Sequence, residues 1–115
     1  MIEQGIKHDQ RKPRISLFPL RALWEMAKVM TFGAKKYGSF NWKGGLRYTR
    51  LADAALRHVV QFIEGEDLDK ETGISHLAHA GCCIAMLLEM TMDRKDMDDR
   101  HGMNNSLPWE GGNEV

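Results

Sequence analysis

The sequence predicts an all-α fold, and three observations carry the prediction. Apolar residues recur at helical spacing in three separated stretches. Helix-stopping and capping residues stand at the borders of those stretches. The third stretch is apolar almost all round, as a buried helix is. Three helices of which one is nearly all apolar do not cover themselves easily, so a homodimer or higher oligomer completing a helical bundle is expected.

Each element follows from its own residues. Met1 to Arg14 is polar without a helical period, and Pro13 discourages helix just before it. Pro19 suits a first helical turn, and Leu20, Leu23, Trp24, Ala27 and Met30 then repeat at helical spacing, which predicts helix 1 from Pro19 to Lys36. The loop Lys35–Gly45 combines three lysines, three aromatic residues and three glycines. Helix 2 is expected from Thr49, a reasonable N-cap, to Glu64, with Gly65 as its stop. On its wheel Arg50, Asp53, Arg57, Gln61 and Glu64 form a polar stripe, while Leu51, Ala54, Ala55, Val59, Phe62 and Ile63 surround His58. An acidic connector, Gly65 to Gly73, leads to helix 3, Ile74 to about Met92, with Thr72 or Ser75 as its cap. Residues from about 94 to 115 read as a polar tail that extends helix 3 briefly and then frays. The whole chain, 1–115, reads as a single domain.

Composition removes several classes of function. Sixteen basic and sixteen acidic residues give zero formal charge, which argues against a nucleic-acid polymer or an anionic membrane as partner. No apolar run approaches a membrane span and the first residues lack a signal-like core, so a cytoplasmic protein is expected. Cys82 and Cys83 are adjacent in a helix and read as reduced core residues. Eight methionines suit adaptable packing.

The chemistry lies in three groups. His58, His76 and His79 occupy positions where periodicity predicts burial, and a buried imidazole needs partners for its ring nitrogens. If helices 2 and 3 pack antiparallel, His58 faces the His76/His79 pair with Asp53 nearby, a set of ligand types suited to a divalent metal. The connector supplies Glu66 and Asp69 as candidate bases to activate water. Lys35, Lys36, Lys43 and Arg57 suit a polyphosphate, and Tyr37, Asn41 and Trp42 suit a nucleoside. No Walker-type or dinucleotide glycine pattern is present.

Several blocks, in order, resemble a known family: Asp9-Gln10-Arg11-Lys12-Pro13-Arg14, Phe32 to Gly38, Asn41-Trp42, Asp53 to His58, Gly65-Glu66-Asp67 and His76 to Ala80. They are similar to the phage dATP/dGTP diphosphohydrolases, relatives of the MazG-like all-α nucleotide pyrophosphohydrolases. The resemblance implies hydrolysis of a purine deoxynucleoside triphosphate to the monophosphate and pyrophosphate, with Mg²⁺ or Mn²⁺, in a host cytoplasm if the chain is phage-encoded. One feature departs from the MazG pattern. Its Glu-Glu-x-x-Glu and Glu-x-x-Asp motifs have as counterparts here Arg57-His58-Val59-Val60-Gln61 and His76-Leu77-Ala78-His79, with the spacing kept and the carboxylates absent. The metal set expected is drawn from Asp53, His58, His76 and His79. The alternatives are a His/Asp metal phosphohydrolase acting on another nucleotide and a non-enzymatic nucleotide-binding module.

Overall fold

The computed structural model describes residues 4–101 of the chain. Among them are three α-helices, α1 (Leu20–Tyr37), α2 (Tyr48–Ile63) and α3 (His76–Asp93). Short 3-10 helices lie at Ile15–Leu17, Asn41–Gly44 and Lys95–Met97. The fold is all-α, with one isolated antiparallel bridge, Leu68 to Ser75, among the described residues. No helix there is long and apolar enough to cross a membrane.

The helix borders have local causes. Pro19 stands before α1 and its carbonyl accepts the N–H of Leu23 at 3.0 Å. Gly65, with φ at 101°, follows the end of α2 as the sequence implies. Ser75 caps α3, its hydroxyl accepting the N–H of Leu77 at 3.1 Å. The expected cap of α2 is corrected. Arg47 holds the cap position without a side-chain bond, and Thr49 lies inside the first turn. The acceptor comes from far along the chain: Asp99 takes both the amide of Thr49, at 3.0 Å, and its hydroxyl. A carboxylate satisfies orphan donors and suits the positive end of the helix dipole.

Residues 94–101 therefore fold back instead of fraying. Arg94 donates to the carbonyls of Lys43 and Gly44, at 3.3 and 2.9 Å, and Met97 packs against the core. A side chain at Gly45 would meet the Arg94 guanidinium at 3.0 Å, and φ there is +115°, so glycine is required twice over. The remainder of the predicted tail, 102–115, lies outside the described residues.

Helices α2 and α3 run antiparallel. Tyr48 at the start of α2 donates its hydroxyl to the Met90 carbonyl near the end of α3, at 3.2 Å, and His58 meets His76 at the opposite end. Tyr48, Leu51 and Met90 form the core, with Trp42, Leu46, Met86, Leu87 and Met97 packed on it. Helix α1 crosses α3 at Gly81, where an added Cβ would lie 3.1 Å from Met26 Sδ. Beside that crossing the Cys82 thiol donates to the Met26 carbonyl at 3.2 Å. Both cysteines are free, and burial pushes the Cys82 thiol up to about 11.

The inward faces differ partly from those the apolar pattern implies. On α1, Met26, Val29 and Met30 turn inward, while Leu20, Leu23 and Trp24 stay largely exposed. On α2, Ile63 is 72% exposed, and on α3 Leu77, Ile84 and Leu88 are each about half exposed. His76, at 0% exposure, is as buried as its position predicts.

Candidate functional site

Six side chains meet where the end of α2, the connector and the start of α3 converge. His58 comes from α2, His76 and His79 from α3, and Glu66, Asp69 and Thr72 from the connector. The Nδ1 atoms of His58 and His76 are 2.8 Å apart. His76 Nε2 lies 2.8 Å from Glu66 Oε1. The His58 and His79 rings stack, with centroids 4.6 Å apart and planes 14° from parallel. His79 Nε2 is 2.7 Å from Thr72 Oγ1, and the Thr72 hydroxyl donates to Asp69 Oδ2 at 3.1 Å.

One set of donors satisfies these contacts: the Glu66 carboxylate accepts from His76 Nε2–H, and His76 Nδ1 accepts from His58 Nδ1–H. The Thr72 hydroxyl is committed to Asp69, so His79 donates its Nε2–H to Thr72.

The connector is held rather than loose. The Asp69 N–H donates to the Ile74 carbonyl at 2.9 Å, and the Gly73 N–H to the Asp69 carbonyl at 2.7 Å. The amides of Glu71 and Thr72 both donate to Asp69 Oδ2, at 3.1 and 2.9 Å. An aspartate that bonds the backbone two and three residues on makes a tight local turn. Its effect is to bring Glu66 and Asp69 to the histidines, while Glu71 pairs with Lys36 at 2.7 Å.

Electrostatics follow from this packing. Burial lowers the pKa of His58, helped by His79 and His76 beside it. Burial likewise lowers that of His79. Burial opposes ionisation of Asp69, but the Thr72 amide and hydroxyl, with His79, outweigh it and hold the carboxyl below its usual range. Near neutral pH these shifts favour neutral His58 and His79 beside an ionised Asp69.

That donor set fits a divalent ion. One ligand atom from each of His58, Asp69 and His76 lies within 4.8 Å of the others. Bonds of about 2.1 Å to an imidazole nitrogen put neighbouring ligands roughly 3.0–3.4 Å apart, and the 2.8 Å between the two Nδ1 atoms needs only a small opening to match. Glu66 behind His76 is the carboxylate that a ligating histidine ordinarily has on its other nitrogen.

The remaining candidates are spread over other surfaces. Asp53 is exposed on the outer face of α2, outside the ligand group, in an open groove of about 580 Å³ shared with Leu56, Arg57, His58, Val60 and Gln61. Lys35 lines a second groove of about 340 Å³ with Trp24, Lys28, Phe32 and Ile74. Tyr37 and Asn41 are exposed. Trp42 is half-buried against Tyr48 and Met90, where it anchors its loop, and Lys43 lies 4.6 Å over the Phe40 ring. These last two sit by the start of α2, about 15 Å along that helix from His58. Thr72 was offered by the sequence only as a cap, yet it links His79 to Asp69. Its place three residues after an aspartate in a turn-rich connector was the available signal.

Comparison with known proteins agrees with these blocks. A family model described as dATP/dGTP diphosphohydrolase, N-terminal, matches residues 3–100. The dATP/dGTP diphosphohydrolase of Salmonella phage PMBT28 is 42% identical over 96 residues, which are 84% of this chain and 33% of that protein. The chain therefore spans about a third of the length of that relative. No solved structure matches it.

Proposed function

The chain belongs to the dATP/dGTP diphosphohydrolase family, matching its N-terminal model, and from that premise we propose that it hydrolyses a purine deoxynucleoside triphosphate to the monophosphate and pyrophosphate. The observation that carries the proposal is the convergence of His58, His76 and Asp69, with Glu66 and His79 beside them. In this reaction the bond between the α- and β-phosphates breaks, water supplies the new oxygen on the α-phosphorus, and pyrophosphate leaves. A divalent ion, if held at this cluster, would neutralise triphosphate charge and acidify the attacking water.

The protein's own groups supply the rest. His58, His76 and Asp69 would hold the ion. Glu66 and Asp69, the bases offered by the sequence, are already committed, the first to His76 and the second to the Thr72 turn. His79 then takes the proton of the water, since burial keeps it neutral and Thr72 fixes its ring. Arg57, in the groove beside His58, is placed to meet phosphate oxygens. Lys35 and Lys36 are further cations for the triphosphate. The uncovered apolar faces of α1, α2 and α3 support assembly into a homo-oligomer.

The test is product analysis of purified protein with each deoxynucleoside triphosphate plus Mg²⁺ or Mn²⁺. Pyrophosphate with dGMP or dAMP is expected. His76→Ala should abolish turnover with helix content intact, and His79→Gln should abolish it while metal binding persists. Inactivity of wild type with every nucleotide and both metals would sink the proposal. One observation favours a second reading, a binding module with structural histidines: no buried side-chain nitrogen or oxygen among the described residues lacks a hydrogen-bond partner. Protein purified without chelator would then contain no metal.

A further inference from the structure

Resting on the metal-dependent reading above, we infer that His58, His76 and Asp69 form a two-histidine, one-carboxylate site selective for a first-row transition dication over magnesium, with Glu66 as its positioning residue.

Ligand chemistry gives the selectivity. Magnesium demands near-octahedral oxygen ligation and gives up its waters reluctantly. Here two of the three converging donors are imidazole nitrogens, which suit manganese, iron, cobalt or zinc. Neither nitrogen can leave easily: His76 is fully buried, and His58 is stacked on His79. Three hydrogen bonds converge on Asp69 Oδ2, two from amides and one from the Thr72 hydroxyl. That turn fixes the carboxylate beside the histidines.

Glu66 acts through His76. Its contact with Nε2 holds the tautomer in which Nδ1 carries a lone pair, the form needed for ligation. Its second oxygen lies 3.7 Å from Lys70, so the carboxylate is steadied from outside as well. Two carboxylates, Asp69 and Glu66, also stand within the cluster to offset the charge of a dication. Only His58 must rearrange, moving its proton from Nδ1 to Nε2 as an ion replaces the bond to His76.

Titration calorimetry of chelator-stripped protein with Mg²⁺, Mn²⁺, Co²⁺ and Zn²⁺ tests this directly, with the visible spectrum of the Co²⁺ form reporting nitrogen ligation. Co²⁺ and Zn²⁺ should bind more than ten times as tightly as Mg²⁺, following the usual order for nitrogen-rich sites. Glu66→Ala should weaken Co²⁺ binding about 10- to 100-fold. Glu66→Gln should restore most of it, because the amide oxygen accepts the same N–H. His58→Gln should lose the cobalt spectrum, and Asp53→Ala should keep it. Equal affinity for Mg²⁺ and Co²⁺, or wild-type affinity in Glu66→Ala, would overturn the inference. The outcome is separable from the proposed function: turnover with no such preference leaves the function standing and removes this site. Tight Co²⁺ binding without turnover does the reverse.

Discussion

A buried imidazole is expensive to leave unpaired, and His76 is paired at both ring nitrogens, with His58 on one side and Glu66 on the other. The same logic governs Tyr48, which is buried with its hydroxyl on the Met90 carbonyl. Tyr48→Phe removes that donor and leaves the Met90 carbonyl with the Arg94 amide as its partner. It should cost about 1 kcal/mol in denaturant unfolding, with helix content unchanged. The cysteines give a second residue-scale outcome. Burial raises both thiols, Cys82 to about 11, so few thiolates exist at pH 8. Alkylation should be slow in the native protein and rapid in denaturant, and equally fast reaction in both states would contradict the packing at the α1–α3 crossing.

Among the elements, α2 is unusual in borrowing its cap from fifty residues away. Asp99 is held below the usual carboxylate range by the Thr49 hydroxyl and amide. A carboxylate whose folded pKa is depressed stabilises above its unfolded pKa, about 4, and loses that contribution as pH falls through the folded value. Wild type should therefore melt higher than Asp99→Asn at pH 7, and the gap should begin to narrow as the pH falls below about 4. A gap that stays unchanged throughout acid titration would show that the charge is not what counts. The cap of α3 is local by contrast, and Ser75→Ala should cost about 1 kcal/mol. That loss also loosens the helix end bearing His76 and His79, so metal affinity measured by calorimetry should fall with it.

At the scale of the molecule, a single chain leaves Leu23, Trp24, Ile63, Ile84 and Leu88 substantially exposed, on all three helices. These exposed apolar side chains support the proposed assembly into a homo-oligomer. Sedimentation at micromolar concentration should show a homo-oligomer. Placing a charge on one face, as in Ile84→Glu, should shift it toward smaller species without loss of helix. Wild-type protein that sediments as a monomer at every concentration would remove the oligomer from the proposal.

Helical periodicity by itself determined the three helices to within a residue or two, because spacing of apolar residues and the glycine stop at Gly65 are local properties. It also marked His58, His76 and His79 as inward-facing. Burial on α1 was less legible: the pattern offered Leu23 and Trp24, while the crossing at Gly81 selected Met26, a choice made by the neighbouring helix. Only the tertiary structure brought Asp69, Thr72 and Glu66 to the histidines, since a connector's path depends on its own hydrogen bonds and on the antiparallel pairing of α2 and α3. It also placed Asp53 outside the ligand group and turned the predicted tail into the cap of α2. Local periodicity records which way a residue faces, whereas a site is assembled from residues far apart in sequence, whose meeting depends on packing.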